Sequence, residues 1–573
     1  MDFVSVGVAA IKSRTEYGWI GLGAATLYLT YCAIWRLYLS PIAHIPGPKL
    51  AALTHLYEMY YNNWLGGKYI WKIQELHDQY GPIIRISPSD LHVGDPEFYD
   101  ILYPSATSGR RANKPPSLTK FFGLDDSLFS TMDHDIHRKR RAALLPYFSP
   151  TYARRLQPIF QERLNVMLER LVSFKDTDVA VNANCMFAAF SRGETPELGG
   201  KLEQVTNIGP LVDIMENLAF GQCTHRLGMY KPVPGLQNQP SIDVNNPEHP
   251  SFDPSERDAS LSGAQSFHIM KRVPWLNDIM MSLPETLARR VSPSLGSYMR
   301  QKHETRKLVA QLSTTSDDEW NGKEMPIFRG VLNSPKLPPQ EKTVERVSQD
   351  AQMLLMAGTL TMASNLEHSI YWVVDNPDVL RKMKEELKTA MPTIDDVPNV
   401  RLSSLEGLDY LTAVVKESVR LIYGNSTPHF RYDPDGPLVY KEEETEKSWV
   451  IPANTPVGMT SVLLHHNELH FPNSNKFDPE RWLGEPGKKL DKYMVGFGKG
   501  SRVCLGMPHG YAILRLVLAQ IWRLWATDEV ALGDELGVIR LYNTTPLDVK
   551  MVGDFFVGKY NKARGVEFKV SSL

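Results

Sequence analysis

The sequence predicts a mainly α protein with small β-sheets, preceded by a single N-terminal transmembrane helix. Three observations carry this. Long helical patterns occupy residues 344–374, 377–390 and 407–422, where apolar side chains recur every three or four positions. Two short β-like runs, residues 81–87 and 90–93, are separated by a Pro-Ser turn. Residues 17–35 carry no charge, and after Arg36 the run continues as Leu37-Tyr38-Leu39, which is enough for one crossing of a bilayer.

Taken in order, residues 1–16 are an N-terminal tail and residues 17–39 the membrane anchor. Trp19, Tyr31, Trp35 and Tyr38 are the amphipathic rings expected near the ends of a span. The apolar core is too long for a secretory leader and no small-residue cleavage site stands out, so the anchor reads as uncleaved. Residues 40–50 form a proline-rich hinge, with Pro41 and Ile45-Pro46-Gly47-Pro48. Arg36 and Lys49 on its flank agree with a cytosolic body. Residues 51–573 then make one large unit without internal repeats; a net charge of −2 with 42% hydrophobic residues gives no electrostatic case for nucleic acid. The cysteines, Cys32, Cys185, Cys223 and Cys504, offer neither a disulfide framework nor paired zinc-site spacing. Two polar stretches rich in Gly, Pro and Asn, residues 193–212 and 228–250, lack periodicity and read as loop insertions. Their first residues, Gly193-Glu194 and Gly228-Met229-Tyr230, are what common intron starts would encode, so retained introns are one origin for them. Residues 528–538 look like a third irregularity.

The chemistry concentrates near the C-terminus, in Phe497-Gly498-Lys499-Gly500-Ser501-Arg502-Val503-Cys504-Leu505-Gly506. Glycines let the backbone turn tightly under a flat macrocycle, while amide N–H groups and a following helix N-terminus ease the negative charge on one sulfur. Such a loop presents a thiolate to a haem iron, and a thiolate pushes electron density towards splitting an O–O bond. The pattern Phe-x-x-Gly-x-Arg-x-Cys-x-Gly resembles the signature of the cytochrome P450 family, which implies the cytochrome P450 fold with haem b as cofactor. On that resemblance Cys504 is the axial ligand to the metal and Arg502 meets a propionate, with Phe497, Gly498 and Gly506 shaping the loop.

Further motifs resemble the same family in the right order. Glu417 and Arg420, three apart on one helix face, with Arg481 in Phe477-Asp478-Pro479-Glu480-Arg481-Trp482, resemble its structural charged triad. His137 and Arg141, one helical turn apart, and Arg431 after Thr427-Pro428-His429-Phe430 match positions that reach propionates. Ala357, Gly358 and Thr361 match the long helix over the haem, where small residues and an opened turn admit dioxygen and the threonine hydroxyl assists its activation. The resemblance is closest to fungal microsomal secondary-metabolism members of the trichodiene-oxygenase-like type, and it extends from the hinge almost to the C-terminus.

Two departures stand out. Most relatives place an acid just before the threonine to feed protons to oxygen; here the residue is Leu360. After the cysteine comes Met507-Pro508-His509-Gly510, where His509 replaces a packing residue and Gly510 weakens the first helical turns, so haem retention is expected to be looser. The resemblance implies a monooxygenase that hydroxylates or epoxidises a lipophilic small molecule, a terpenoid by the nearest type, using O2 and electrons from NADPH-cytochrome P450 reductase at the endoplasmic reticulum membrane. Lys488, Lys489, Lys492 and Lys499 suggest a basic patch for that partner. The apolar run at residues 273–281 reads as a lid over a pocket or as a segment dipping into the membrane surface. A haem-thiolate isomerase or dehydratase, kept open by Leu360, and a non-catalytic membrane protein with the same body are the alternatives.

Overall fold

A computed structural model describes residues 3–120, 122–190, 219–220, 263–264, 266–316, 320, 325–442, 445–561 and 565–573. The stretches read as insertions, 193–212 and 228–250, lie outside the described residues, as does Cys223.

Helix α1 (Phe3–Ile34) takes in most of the tail and most of the anchor, then widens into a π-helical turn at Trp35–Leu39. Trp19–Leu39 is long and apolar enough to cross a membrane and is not buried against the body. The hinge that follows is gripped by Arg85. Its backbone N–H donates to Pro46 O at 2.7 Å, and its buried guanidinium donates to the carbonyls of Arg36 (2.6 Å), Pro88 (2.8 Å) and Ser87 (3.3 Å). A side chain at Gly47 would collide with the Arg85 carbonyl, so only glycine lets the hinge lie this close.

The body is built from α2 (Tyr69–Tyr80), β1 (Ile83–Arg85), β2 (Leu91–Val93), α3 (His134–Leu144), β3 (Val181–Asn182), α4 (Val344–Val374), α5 (Pro377–Ala390), α6 (Asp409–Ile422), β4 (Leu438–Lys441), β5 (Ser448–Ile451), β6 (Val457–Gly458), α7 (Met507–Leu524), β7 (Trp525–Ala526), β8 (Gly537–Leu541), β9 (Met551–Phe555), β10 (Val557–Tyr560) and β11 (Glu567–Ser571), with shorter helices between. β1 and β2 pair antiparallel and β6 joins β2 in parallel; a second sheet runs β3-β11-β8-β7; β4-β5 and β9-β10 are hairpins. The predicted strands and the three long helices are thus present, with boundaries within a few residues.

Helix α4 starts where the Thr343 hydroxyl caps Arg346 N, and its C-terminal half is buried on nearly every face, as expected of a helix running through a core rather than over one. Helix α7 carries Pro508 in its first turn, where the missing N–H costs nothing, and is buried almost throughout from Ala512 to Leu524. Trp522 and Trp525 are fully buried where it meets β7. The third suspected irregularity, 528–538, is instead integrated into the body. Glu535 holds the fully buried Lys384 at 2.8 Å and accepts from Leu532 N and Gly533 N, while Arg523 pairs with Asp534 at 2.6 Å. Polar residues there satisfy buried cations rather than marking a loose loop.

Several buried histidines are held neutral. His465 donates or accepts at both nitrogens, to Arg420 O (2.8 Å) and from Val495 N (3.1 Å), and burial pushes its pKa down to about 3. His466 lies between Tyr423 Oη and Ser474 Oγ and is pushed to about 4 by burial and by Arg420. His92, against His77 at 2.7 Å, is lowered well below its ordinary value by burial. In each case the unfolded chain takes the proton first, so the stability is present above pH about 6.5 and is lost below it. Melting temperature should be flat above neutrality and fall steeply from pH about 6.5 downwards, by about 1.4 kcal/mol per pH unit for each such histidine. A profile level to pH 5 would contradict this.

Candidate active site

One cavity of about 420 Å³ lies between α4 and the loop that precedes α7. Cys504 is at its floor, and its accessible surface faces this cavity. The loop is folded by its own backbone: Cys504 N donates to Phe497 O at 2.9 Å and Gly498 N to Val495 O at 2.7 Å. Gly498 and Gly500 have φ of 70° and 73°, and a side chain at Gly500 would strike the carbonyls of Tyr103 and Pro104. Burial raises the Cys504 thiol pKa; the N–H groups of Gly506 and Met507 and the charge of Arg141 act the other way. A metal cation at the sulfur reverses that balance outright.

The rim carries cations gathered from distant segments. Arg502 donates to the carbonyls of Thr131 (2.7 Å), Met132 (2.8 Å) and Asp133 (3.2 Å), leaving Nε without a partner among the described residues. Helix α3, capped by the Asp133 carboxylate, presents His137 and Arg141 to the cavity; Arg431 enters from its bridge to Val457. Lys114 completes the group, its ammonium donating to Phe129 O and lying 3.6 Å over the Phe129 ring. Burial lowers the pKa values of Arg502, Lys114, Arg431 and His137, and for Arg502, Lys114 and His137 neighbouring cations lower them further. Such crowding of desolvated positive charge is unfavourable unless anions sit among it. The two propionates of haem supply that charge, beside a cysteine on the cavity floor, so the residues present fit the group. Lys114 is the member that sequence reasoning missed: nothing local to Asn113-Lys114-Pro115 distinguishes it from a surface lysine.

Above the floor, Ala357, Gly358, Leu360 and Thr361 line the cavity from α4. The expected opened turn is not found. Helix α4 is unbroken there, and the Thr361 hydroxyl donates back to Ala357 O at 2.8 Å, satisfying the carbonyl that an opened turn would expose. Leu360 offers no proton, and Asp350, the carboxylate in the wall, is engaged by Arg346 (2.5 Å) and Leu128 N. The far wall is aromatic. Phe556, held at φ 74° by hydrogen bonds to Thr427 and Asp554, packs edge-on to Phe122 (5.4 Å) and Phe129 (5.7 Å) and lies 5.5 Å from Phe267. A bulky residue at positive φ is costly, so its placement at this wall is imposed by the surrounding contacts.

His509 packs against Phe148 at 5.0 Å, with Tyr152 and Phe160 at 6.3 Å, and neither ring nitrogen has a hydrogen-bond partner among the described residues. Burial pushes its pKa down to about 4. His509→Leu should therefore raise holoprotein stability by about 1–3 kcal/mol, read as a higher melting temperature; a loss would show that the imidazole is satisfied in solution. Gly510 has a packing role: a Cβ there would press the Phe497 ring at 3.2 Å.

Away from the cavity, Glu417 gathers its partners in a fully buried knot. Arg420 donates to it twice (2.7 and 2.8 Å), Trp482 Nε1 at 2.9 Å, Asp478 N at 3.0 Å and Arg481 Nε at 3.1 Å. The lysine patch is largely neutralised: Lys488 pairs with Glu485, Lys492 with Glu97 and Lys499 with Asp100.

The family model for cytochrome P450 matches residues 264–529. A cytochrome P450 monooxygenase, tpcC, of Cochliobolus heterostrophus is 38% identical over 552 residues, 96% of each chain. The chain belongs to the cytochrome P450 family. Other P450 relatives include the tryptophan 6-hydroxylase fscE of Fusarium equiseti, 35% identical over 91% of each chain. The P450 monooxygenase TRI4 of Trichoderma arundinaceum is 30% identical over 95% of this chain and 93% of that one. The protein is accordingly a haem-thiolate monooxygenase of the fungal P450 type, with haem b bound by a cysteine thiolate. Bound haem supplies the electron-rich iron at which O2 is split. This chain's residues place Cys504 on the cavity floor, gather cations at the rim where propionates would lie, and set Thr361 in the cavity wall.

Proposed function

We propose that this P450 hydroxylates or epoxidises an uncharged, lipophilic secondary metabolite of terpenoid character. The observation that carries this reading is the distal wall. Leu118, Phe122, Phe267, Met356, Leu360 and Phe556 line it, and the one carboxylate among the described lining residues, Asp350, is already paired. A wall of this composition favours hydrocarbon over a charged amino acid, whose ammonium and carboxylate would be desolvated without partners. In this reading Cys504 is the axial ligand, Arg431, Arg502, His137, Arg141 and Lys114 hold the propionates, and Thr361 assists oxygen activation beside Ala357 and Gly358.

Electrons come from NADPH-cytochrome P450 reductase, and the body sits on the cytosolic side of the endoplasmic reticulum, held by residues 17–39. The helix Pro274–Ser282 supports contact with the bilayer: Asn277 anchors it to Lys120 O at 2.8 Å, while Trp275 and Ile279 are exposed. A second reading, an indole or other flat aromatic substrate, draws on the edge-on phenylalanines and on the relatives named for tryptophan and N-acetyltryptophan hydroxylation. Co-expression with a reductase, feeding terpene hydrocarbons and indoles side by side, and mass detection of added oxygen tests the choice. Oxygenated terpenes support the first reading; oxygenated indoles alone replace it with the second.

A further inference from the structure

Helix α4 carries a line of polar residues through an otherwise apolar core. Thr361, Ser364, Asn365 and His368 stand at positions i, i+3, i+4 and i+7 and share a face. The first three line the cavity, and His368 lies behind them, almost wholly buried. The His368 Nδ1 is 2.7 Å from Ser364 O; a carbonyl only accepts, so Nδ1 carries the proton and Nε2 is a bare acceptor. That Nε2 has no partner among the described residues. Across from it, at 4.1 Å between ring centroids, stands Tyr560, a cavity-lining residue whose buried hydroxyl likewise has no partner among the described residues. Burial keeps the imidazole neutral at working pH, with a pKa near 4.

An acceptor and a donor left unpaired on two rings in contact, next to a polar stretch of cavity wall, form a site suited to ordered water. The other acids nearby are spoken for. Glu367 accepts from Val566 N and Asn184, and Asp554 accepts from Ser426, Thr427 and Phe556 N. Seven residues beyond His368 on the same face, Asp375 stands exposed at the end of α4 and gives the line a solvent end.

We propose that water held by His368 Nε2 and Tyr560 Oη, continued by Asn365 and Ser364 to Thr361, delivers the protons that an acid at position 360 would otherwise supply. The inference rests on the monooxygenase reaction, R–H + O2 + 2 e⁻ + 2 H⁺ giving R–OH + H2O, with both electrons from the reduced redox partner. The two protons are consumed as the O–O bond breaks, one oxygen leaving as water. His368 and Tyr560 are positioning residues: they act through the water they hold.

The test uses His368→Leu and Tyr560→Phe in the full-length holoenzyme, each first shown to keep the red-shifted ferrous–CO band. That control separates failure of this proposal from failure of the haem-thiolate assignment. Each variant should yield about threefold less product per NADPH consumed, release hydrogen peroxide in its place and show a larger solvent deuterium isotope effect. Turnover driven by added hydrogen peroxide, which brings its own protons (R–H + H2O2 giving R–OH + H2O), should stay within about twofold of the parent. Unchanged coupling in both variants, or equal loss on both routes, overturns the proposal. A crystal structure gives a readout independent of turnover. Water bonded to both His368 Nε2 and Tyr560 Oη is expected, and a dry contact between the rings overturns it.

Discussion

Cys504→Ser leaves a protein that folds but no longer shows the red-shifted Soret band when reduced and exposed to carbon monoxide, and monooxygenation falls by about 10³-fold or more. The loop around the residue is built by glycine conformations and main-chain hydrogen bonds such as Cys504 N to Phe497 O, and the N–H groups of Gly506 and Met507 that face the sulfur can face a hydroxyl oxygen as well. Serine therefore fits sterically. What changes is the donor: a hydroxyl stays protonated where a thiol ionises against a metal, and electron donation to the iron is lost. A variant with an unaltered CO spectrum would show that another residue binds the iron, and the cavity floor would need a different assignment.

Glu417→Gln carries the largest expected stability cost. The carboxylate accepts five hydrogen bonds from Arg420, Arg481, Trp482 and Asp478 N, with Glu417 and Arg420 fully buried. Glutamine keeps the shape but removes the negative charge and turns one acceptor into a donor facing guanidinium hydrogens. Breaking a buried pair while leaving its partner charged costs about 3–5 kcal/mol. Arg420 also ties the carbonyls of His465, Ser474 and Lys476 together, so the damage spreads to the segment leading to the cysteine loop. Urea unfolding of the holoprotein should show the loss, with poor haem incorporation on expression; wild-type stability in the variant would mean that the knot is not a keystone.

The parts of this site that were legible in the sequence are those whose geometry is local. The cysteine loop declares itself through glycines at fixed offsets, and Glu417 with Arg420 through helical spacing. Residues 344–374 were legible because apolar periodicity persists over eight turns. What could not be read depends on tertiary contact. Lys114 joins the cation cluster only because the chain returns it beside Arg431 and Arg502, and Phe556 takes a positive φ only because Thr427 and Asp554 hold its amide. The expected opening above the haem failed for a reason within one turn: a threonine hydroxyl free to choose bonded to its own helix at Ala357 O. Leu360 was legible as a missing acid, but the pairing of His368 with Tyr560 joins residues nearly two hundred positions apart.

The grip of Arg85 on Arg36, Ser87 and Pro88 has a mechanical corollary. A swivelling linker would let lipid and thermal motion choose the attitude of the enzyme; this joint makes anchor and body one lever. Under the proposed anchoring, hydrophobic mismatch that leans the helix in a thinner or thicker bilayer would lean the body with it. The tilt of the catalytic cavity would then follow bilayer thickness.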